Sequence, residues 1–144
     1  MSQPGAAAGD VEILSEQECS QLMRSFDLGR IGLLDEQMRP LILPVNYHYE
    51  EGVIAFRTGP GTKLALAPGT YVCFEIDGWD PDTGVGWSVV ARGFARDVTE
   101  PRGSPAARIH YWPVQPLAPG ERGRWVGVWV SEISGRRFQG LKAG

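Results

Sequence analysis

The sequence predicts a mainly β domain: six mostly antiparallel strands closing into a small barrel, with a leading α-helix and one or two short helices. Three observations carry this. Several short runs alternate apolar and polar residues, as half-buried strands do. Glycine (19) and proline (11) together fill 30 of 144 positions, so the chain turns often. Only one long stretch, near the start, repeats its apolar residues at helical spacing. Hydrophobic residues make up 42% of the chain, enough for one core in a single domain.

The elements follow in order. Residues 1–10 are small and polar and are expected to form a flexible arm. Order is expected from Ser15, where Ser-Glu-Gln-Glu fits a capping box with Leu14 as its staple. Cys19, Leu22, Met23 and Phe26 then recur at i, i+3, i+4, i+7, and Gly29 is the expected helix stop. Arg30 to Leu34 is a short apolar strand. Leu41 to Tyr49 is a longer one, and Pro44 places it at a sheet edge or a bulge. Glu50-Glu51-Gly52 turns the chain into Val53 to Thr58 as a hairpin partner. Thr62 is the expected N-cap of a short helix that Pro68-Gly69 stops. Tyr71 to Asp77 is a strand, GWDPDTGVG a turn-rich loop, and Trp87 to Val98 the longest strand, with a bend at Gly93. Ser104-Pro105 opens a short helix over Ala106 to Tyr111 within a Pro- and Gly-rich connection. Arg124 to Ser131 is the last strand, alternating Trp125, Gly127 and Trp129 against Val126, Val128 and Val130. The domain is expected to span 11–139, with 140–144 as a flexible tail.

Composition excludes several function classes. A net charge of −3 gives no pull toward nucleic acid or anionic membrane. The same acidic balance argues against single-strand binding on an OB-like barrel, whose grooves are basic. No apolar run is long enough to span a bilayer, and the N-terminus lacks a signal-peptide pattern, so a cytoplasmic protein is expected. Cys19 and Cys73 are too few for a disulfide framework or zinc ribbon and read as two buried thiols. His48 and His110 read as structural residues rather than metal ligands, and Asp77, Asp80 and Asp82 as turn chemistry rather than a calcium loop.

The most informative stretch is Arg57-Thr58-Gly59-Pro60-Gly61-Thr62-Lys63. A strand delivers a guanidinium and a hydroxyl, glycines let the backbone turn closely, and a helix start follows beside Thr62 and Lys63. Backbone N–H groups with Arg and Lys suit one phosphate-sized anion. Taken alone, an ordinary Gly-Pro-Gly turn with basic neighbours is the simpler reading, and the spacing is not that of a Walker loop.

The succession P-V-N-Y (Pro44 to Tyr47), F-R-T then G-T-K (Phe56 to Lys63), F-E-I-D-G-W-D-P-D-T (Phe74 to Thr83), W-S-V-V-x-x-G (Trp87 to Gly93) and I-S-G-R-R (Ile133 to Arg137) resembles the short pyridoxamine 5′-phosphate oxidase-like, flavin-binding split-barrel proteins. The resemblance runs from about Ser15 to Phe138. It implies a six-stranded antiparallel split β-barrel that forms a homodimer with flavin mononucleotide (FMN) at the subunit interface. It implies that the backbone of Val45 and Asn46 lines the flavin ring edge, and that Arg57, Thr58, Thr62 and Lys63 grip the ribityl phosphate. It places Trp87 and Ser88 near the pyrimidine end, with Trp125 or Trp129 of the neighbouring subunit covering the site. Together, loop and resemblance put phosphate binding ahead of an ordinary turn.

The activity so implied is that of a small oxidoreductase working by hydride transfer at the flavin, on a small-molecule substrate or electron donor. No residue is marked as an acid or base, so the catalytic residues are unknown. True pyridoxamine phosphate oxidases carry a longer C-terminal segment with Arg-x-His; here the corresponding stretch is Arg136-Arg137-Phe138-Gln139-Gly140, which argues against vitamin B6 oxidation. Two alternatives stay open. One is a deazaflavin-dependent reductase, with Arg92, Arg96 or the Arg122–Arg124 region holding a longer acidic tail. The other is a non-catalytic flavin- or haem-binding stress module. Arg92 and Arg96 share a strand face with Ser88, where a plain surface pair is the simpler reading.

Overall fold

The structure, a computed structural model, describes residues 10–100, 106–115 and 123–140. It is a curled antiparallel sheet forming a half-barrel, as expected of the class, but with eight strands rather than six. β1 (Val11–Ile13) precedes α1 (Glu16–Ser25); β2 (Leu28–Leu34), β3 (Pro40–Asn46), β4 (His48–Glu50) and β5 (Val53–Thr58) follow. After a 3₁₀ turn at Lys63–Leu66 come β6 (Tyr71–Asp80), β7 (Val85–Asp97), α2 (Ala106–Ile109) and β8 (Arg124–Gln139). The sheet order is β3-β2-β6-β7-β8-β5-β4, with β1 paired to the far end of β8. The arm at 1–9, the Ser104-Pro105 helix start, Arg122 and the tail at 141–144 lie outside the described residues.

The extra strands have local causes. The run expected over Leu41 to Tyr49 breaks at Tyr47, giving β3 and β4. Tyr47 is buried and its hydroxyl donates to the Met23 carbonyl at 2.7 Å, so its side chain ties the break to α1. Burial also pushes the Tyr47 phenol up, which favours its protonated, donating form. Tyr47→Phe leaves that carbonyl unpaired in a dry place and is expected to lower stability by about 1–2 kcal/mol. A denaturant midpoint unchanged from wild type would contradict this. β8 runs on to Gln139 because Ser131 is an extra residue opposite the Arg92–Gly93 step, a bulge that lets the pairing continue. Its tail then has β1 as a partner (Val11↔Phe138), so order starts before Ser15.

The α1 capping box is formed, with Ser15 Oγ accepting from the Glu18 N–H (3.1 Å) and Glu18 Oε1 accepting from the Ser15 N–H (3.0 Å). The helix ends at Ser25 instead of at Gly29, because Phe26 is already extended. Gly29 lies in β2 for a packing reason: a Cβ there would sit 2.4 Å from the Phe74 ring. Pro44 does sit on an edge, since β3 pairs only with β2 among the described strands. Gly93 does mark the irregularity, and a Cβ on it would sit 2.1 Å from the Trp129 carbonyl oxygen. GWDPDTGVG is mostly strand, with only residues 81–84 left as the turn between β6 and β7. Glu51 and Gly52 both take positive φ (51° and 79°), making the tight two-residue hairpin between β4 and β5.

One core fills the barrel, built from Ile31, Val45, Tyr47, Ile54, Phe56, Phe74, Ile76, Val89, Val126 and Val128 with Cys19 and Met23 of α1. A second, smaller cluster joins Ala55, Val98, Ile109 and Val114 to Trp112, Trp125 and Trp129. β8 feeds both, valines to one side and tryptophans to the other, as its alternation predicts. Cys19 is buried, but Cys73 is exposed on the outer sheet face, so only one thiol is a core residue. No helix among the described residues is long and apolar enough to cross a membrane.

Candidate functional site

The loop after β5 is held by its own hydroxyls. Thr62 Oγ1 donates to the Gly59 carbonyl at 3.0 Å and lies 2.6 Å from Thr58 Oγ1, itself 3.3 Å from that carbonyl. Thr58 is fully buried. Thr62 precedes the 3₁₀ turn as expected, but its side chain does not cap it, because its hydroxyl turns back to Gly59. The turn spans four residues only, too short for a helix dipole to matter. Gly61 takes φ 78° and opens onto free space, so the loop has a bare side where a ligand could approach the backbone.

The charges of the loop are partly engaged. Lys63 Nζ lies 2.7 Å from Glu36 Oε1, at the tip of the β2–β3 hairpin. That bond holds the Glu36 carboxyl below its usual range. Both side chains are half exposed, so the pair is weak and yields to a stronger anion. Arg57 pairs in register with Trp125, and its guanidinium sits 5.2 Å from that ring's centroid. His110 stacks on the same indole at 4.8 Å. Trp125 is thus occupied by neighbours from its own chain. Trp129 carries Arg96 at 5.3 Å, which makes Arg96 a partner of an aromatic ring, and Arg92 pairs with Glu132 at 3.8 Å.

Arg57, Thr58, Thr62 and Lys63 therefore lie at one corner of the fold. Val45 and Asn46 stand at the other end of β3 from the hairpin tip that Lys63 touches, a path of roughly 20 Å along the strand. Val45 points into the core, and the strand's outer backbone edge has no ladder partner among the described residues. A ligand spanning both places would be long, with its anionic end at Lys63.

Trp87 and Ser88 are separated from each other by the pleat. The Trp87 indole turns inward over Gly78 and against Phe26 (ring centroids 5.1 Å), while Ser88 faces out, paired with Asp77 and Arg136. Both are also far from the loop. Asp97, whose neighbour Val98 donates its N–H to the Trp125 carbonyl, lies ten residues beyond Trp87 along β7, a path of roughly 33 Å. One protomer does not bring Trp87 and Trp125 to the same ligand.

Two groups escape sequence reasoning. Glu36 sits in an ordinary-looking turn, and nothing in its surroundings signals that it will meet Lys63. On the outer sheet face Arg30 donates to Glu75 (3.1 Å) and Asp77 (3.2 Å), so one cation serves two carboxylates. Burial, reinforced by Asp77, pushes Glu75 up to about 7 against the pull of Arg30. The unfolded carboxyl titrates near 4.5, so the folded chain binds more protons between these values and its stability falls as pH rises through that window. Glu75→Gln is expected to flatten this dependence. Denaturant midpoints at pH 5 and pH 8 measure it, and a slope equal to wild type would refute the assignment.

A family model described as pyridoxamine 5′-phosphate oxidase matches residues 15–137. The FAD-binding protein of Mycobacterium smegmatis is 34% identical, with a TM-score of 0.67 over 90% of this chain and 100% of that one. A candidate pyridoxamine 5′-phosphate oxidase of Corynebacterium glutamicum is 30% identical, with a TM-score of 0.77 over 95% and 99%. The uncharacterized protein Rv0080 of Mycobacterium tuberculosis is 34% identical over 101 residues, 66% of each chain. With a fold, a motif order and a family model that agree over nearly the whole described chain, this protein belongs to the pyridoxamine 5′-phosphate oxidase family.

Proposed function

We propose that the chain binds a flavin nucleotide, FMN by family resemblance, between two copies of itself and serves as a small flavin-dependent oxidoreductase. The observation that carries the reading is the loop after β5, where Arg57, Thr62 and Lys63 follow within seven residues beside the open side of Gly61 and buried Thr58 braces the turn. Two basic side chains and an unobstructed backbone suit a phosphate dianion. Lys63 would exchange Glu36 for the phosphate, and Arg57 would contribute a second charge. The hydroxyls of Thr58 and Thr62 set the loop's shape through Gly59. The free edge of β3 at Val45 and Asn46 offers backbone groups to the polar rim of a flat ring. When bound, the flavin would supply hydride or electron transfer.

The same geometry favours a dimer. Trp125 already lies beside Arg57, but Trp87 and Ser88 can act with the loop only if a second copy supplies them. The outer sheet face also exposes Leu28, Ile42, Val90 and Tyr71, apolar area that a second copy would cover.

A second reading, FAD in place of FMN, is favoured by the 34% identical relative described as FAD-binding. Titration of the protein into FMN, FAD and riboflavin, followed by flavin fluorescence, tests both. Saturable quenching by FMN or FAD, weaker for riboflavin, is expected; no quenching of any of the three would overturn the proposal. Anaerobic NAD(P)H should then bleach the bound flavin, whereas flavin that no donor reduces would mark a binding module.

A further inference from the structure

We propose that the cleft between Phe26, Trp79 and Trp87 binds a planar aromatic cation. It is an open cleft of about 540 Å³ between the start of β2 and the β6–β7 hairpin, within the range that small-molecule sites occupy.

Three features define the occupant. The first is its walls. Phe26 and Trp87 pack together over Gly78 on the barrel side of the sheet, while Trp79, stacked on Phe138 over Gly86, stands on the opposite face, so the cleft wraps around the open edge of β6 between them. Trp79 and Phe26 remain 56% and 46% exposed, unusual for such large rings, so their surfaces are available to a flat partner. The floor at Gly78 carries no side chain, and β2 pairs with β6 only from Cys73 to Glu75. Beyond Glu75, that edge of β6 has no ladder partner among the described residues, so the floor is the open backbone edge of a strand.

The second feature is charge. Asp77 and Asp80 line the cleft, and none of its lining residues is Lys, Arg or His. Asp80 spends Oδ1 on the Asp82 N–H, but the carboxylate keeps its charge. The third lies next door. Among the described residues Arg30 is the one cation within ion-pair distance of Glu75 and Asp77, so these two carboxylates share a single direct partner when both are ionised. A cation entering beside Asp77 would supply a second positive charge and stack on rings whose faces are electron-rich. A neutral ring would gain only the stacking, and an anion would meet two carboxylates.

The cleft shares Trp87 with the proposed flavin contacts, but it requires no flavin, so its test is run on protein without cofactor. ¹⁵N-labelled protein without added cofactor is titrated with 1-methylquinolinium, with quinoline and with 2-naphthalenesulfonate at pH 8, following the five tryptophan indole N–H signals. The cation is expected to shift Trp79 and Trp87 saturably and to leave Trp125 in place, binding at least roughly tenfold tighter than the sulfonate. Asp80→Asn keeps the turn's acceptor and removes only the charge; it should weaken the cation roughly threefold to fivefold without altering quinoline. Trp79→Ala should weaken both the cation and quinoline by about fivefold. Equal binding of cation and anion, shifts centred on Trp125, or unchanged affinity in Asp80→Asn would overturn the proposal.

Discussion

Lys63→Ala is expected to weaken FMN binding roughly tenfold to a hundredfold while leaving riboflavin within about twofold. Only FMN carries the phosphate, so the difference between the two ligands isolates the clamp. The magnitude follows from what Lys63 gives up and gains. Its present partner is a single half-exposed carboxylate, Glu36, whose attraction is small. A phosphate dianion at a site shared with Arg57 offers charge-assisted bonds of about 1.5–3 kcal/mol. Binding is not expected to vanish, because Arg57 and the loop backbone remain. Parallel fluorescence titrations of both ligands check this, and equal losses for FMN and riboflavin would show that Lys63 lies away from the phosphate.

Phe74→Ala is expected to lower folding stability by about 3–5 kcal/mol, the largest effect of any substitution considered. Phe74 is fully buried in β6. Its ring meets Tyr47 edge-on at 4.8 Å and lies over Gly29, the one residue type that leaves it room. Truncation opens a cavity bounded by strands on both sides, which cannot collapse onto it. The same ring supports Tyr47, which anchors the β3–β4 break beside Val45 and Asn46, so flavin affinity should fall with stability. Chemical denaturation measures the first effect. A loss under about 1 kcal/mol would mean that the barrel wall closes around the gap.

Much of the fold is legible in the sequence because its signals are local. Ser15 and Glu18 cap the same helix whatever surrounds them, Pro44 has no N–H to offer a second strand, and Gly93 leaves room for the backbone of Trp129. The strand count is less legible. Whether Leu41 to Tyr49 makes one strand or two depends on Tyr47 finding a carbonyl in α1, a contact 24 residues away. Likewise β8 passes its own bulge only because β1 and β7 give its tail partners.

The candidate site divides in the same manner. The Arg57 to Lys63 segment is contiguous, so its chemistry is visible in the chain. Glu36 beside Lys63, Arg30 shared between Glu75 and Asp77, and the Phe26–Trp87 contact all join residues far apart in sequence. Trp87 and Ser88, adjacent in the chain, face opposite sides of the sheet, which the strand's period of two dictates once its register is known.

The central claim is that two copies of this chain complete a flavin nucleotide site. Native mass spectrometry of protein saturated with FMN, and separately with FAD, measures chain number and flavin number in one species. A dimer carrying two flavin nucleotides is the result predicted. A monomer that holds flavin by itself, or a dimer that holds none, would contradict it.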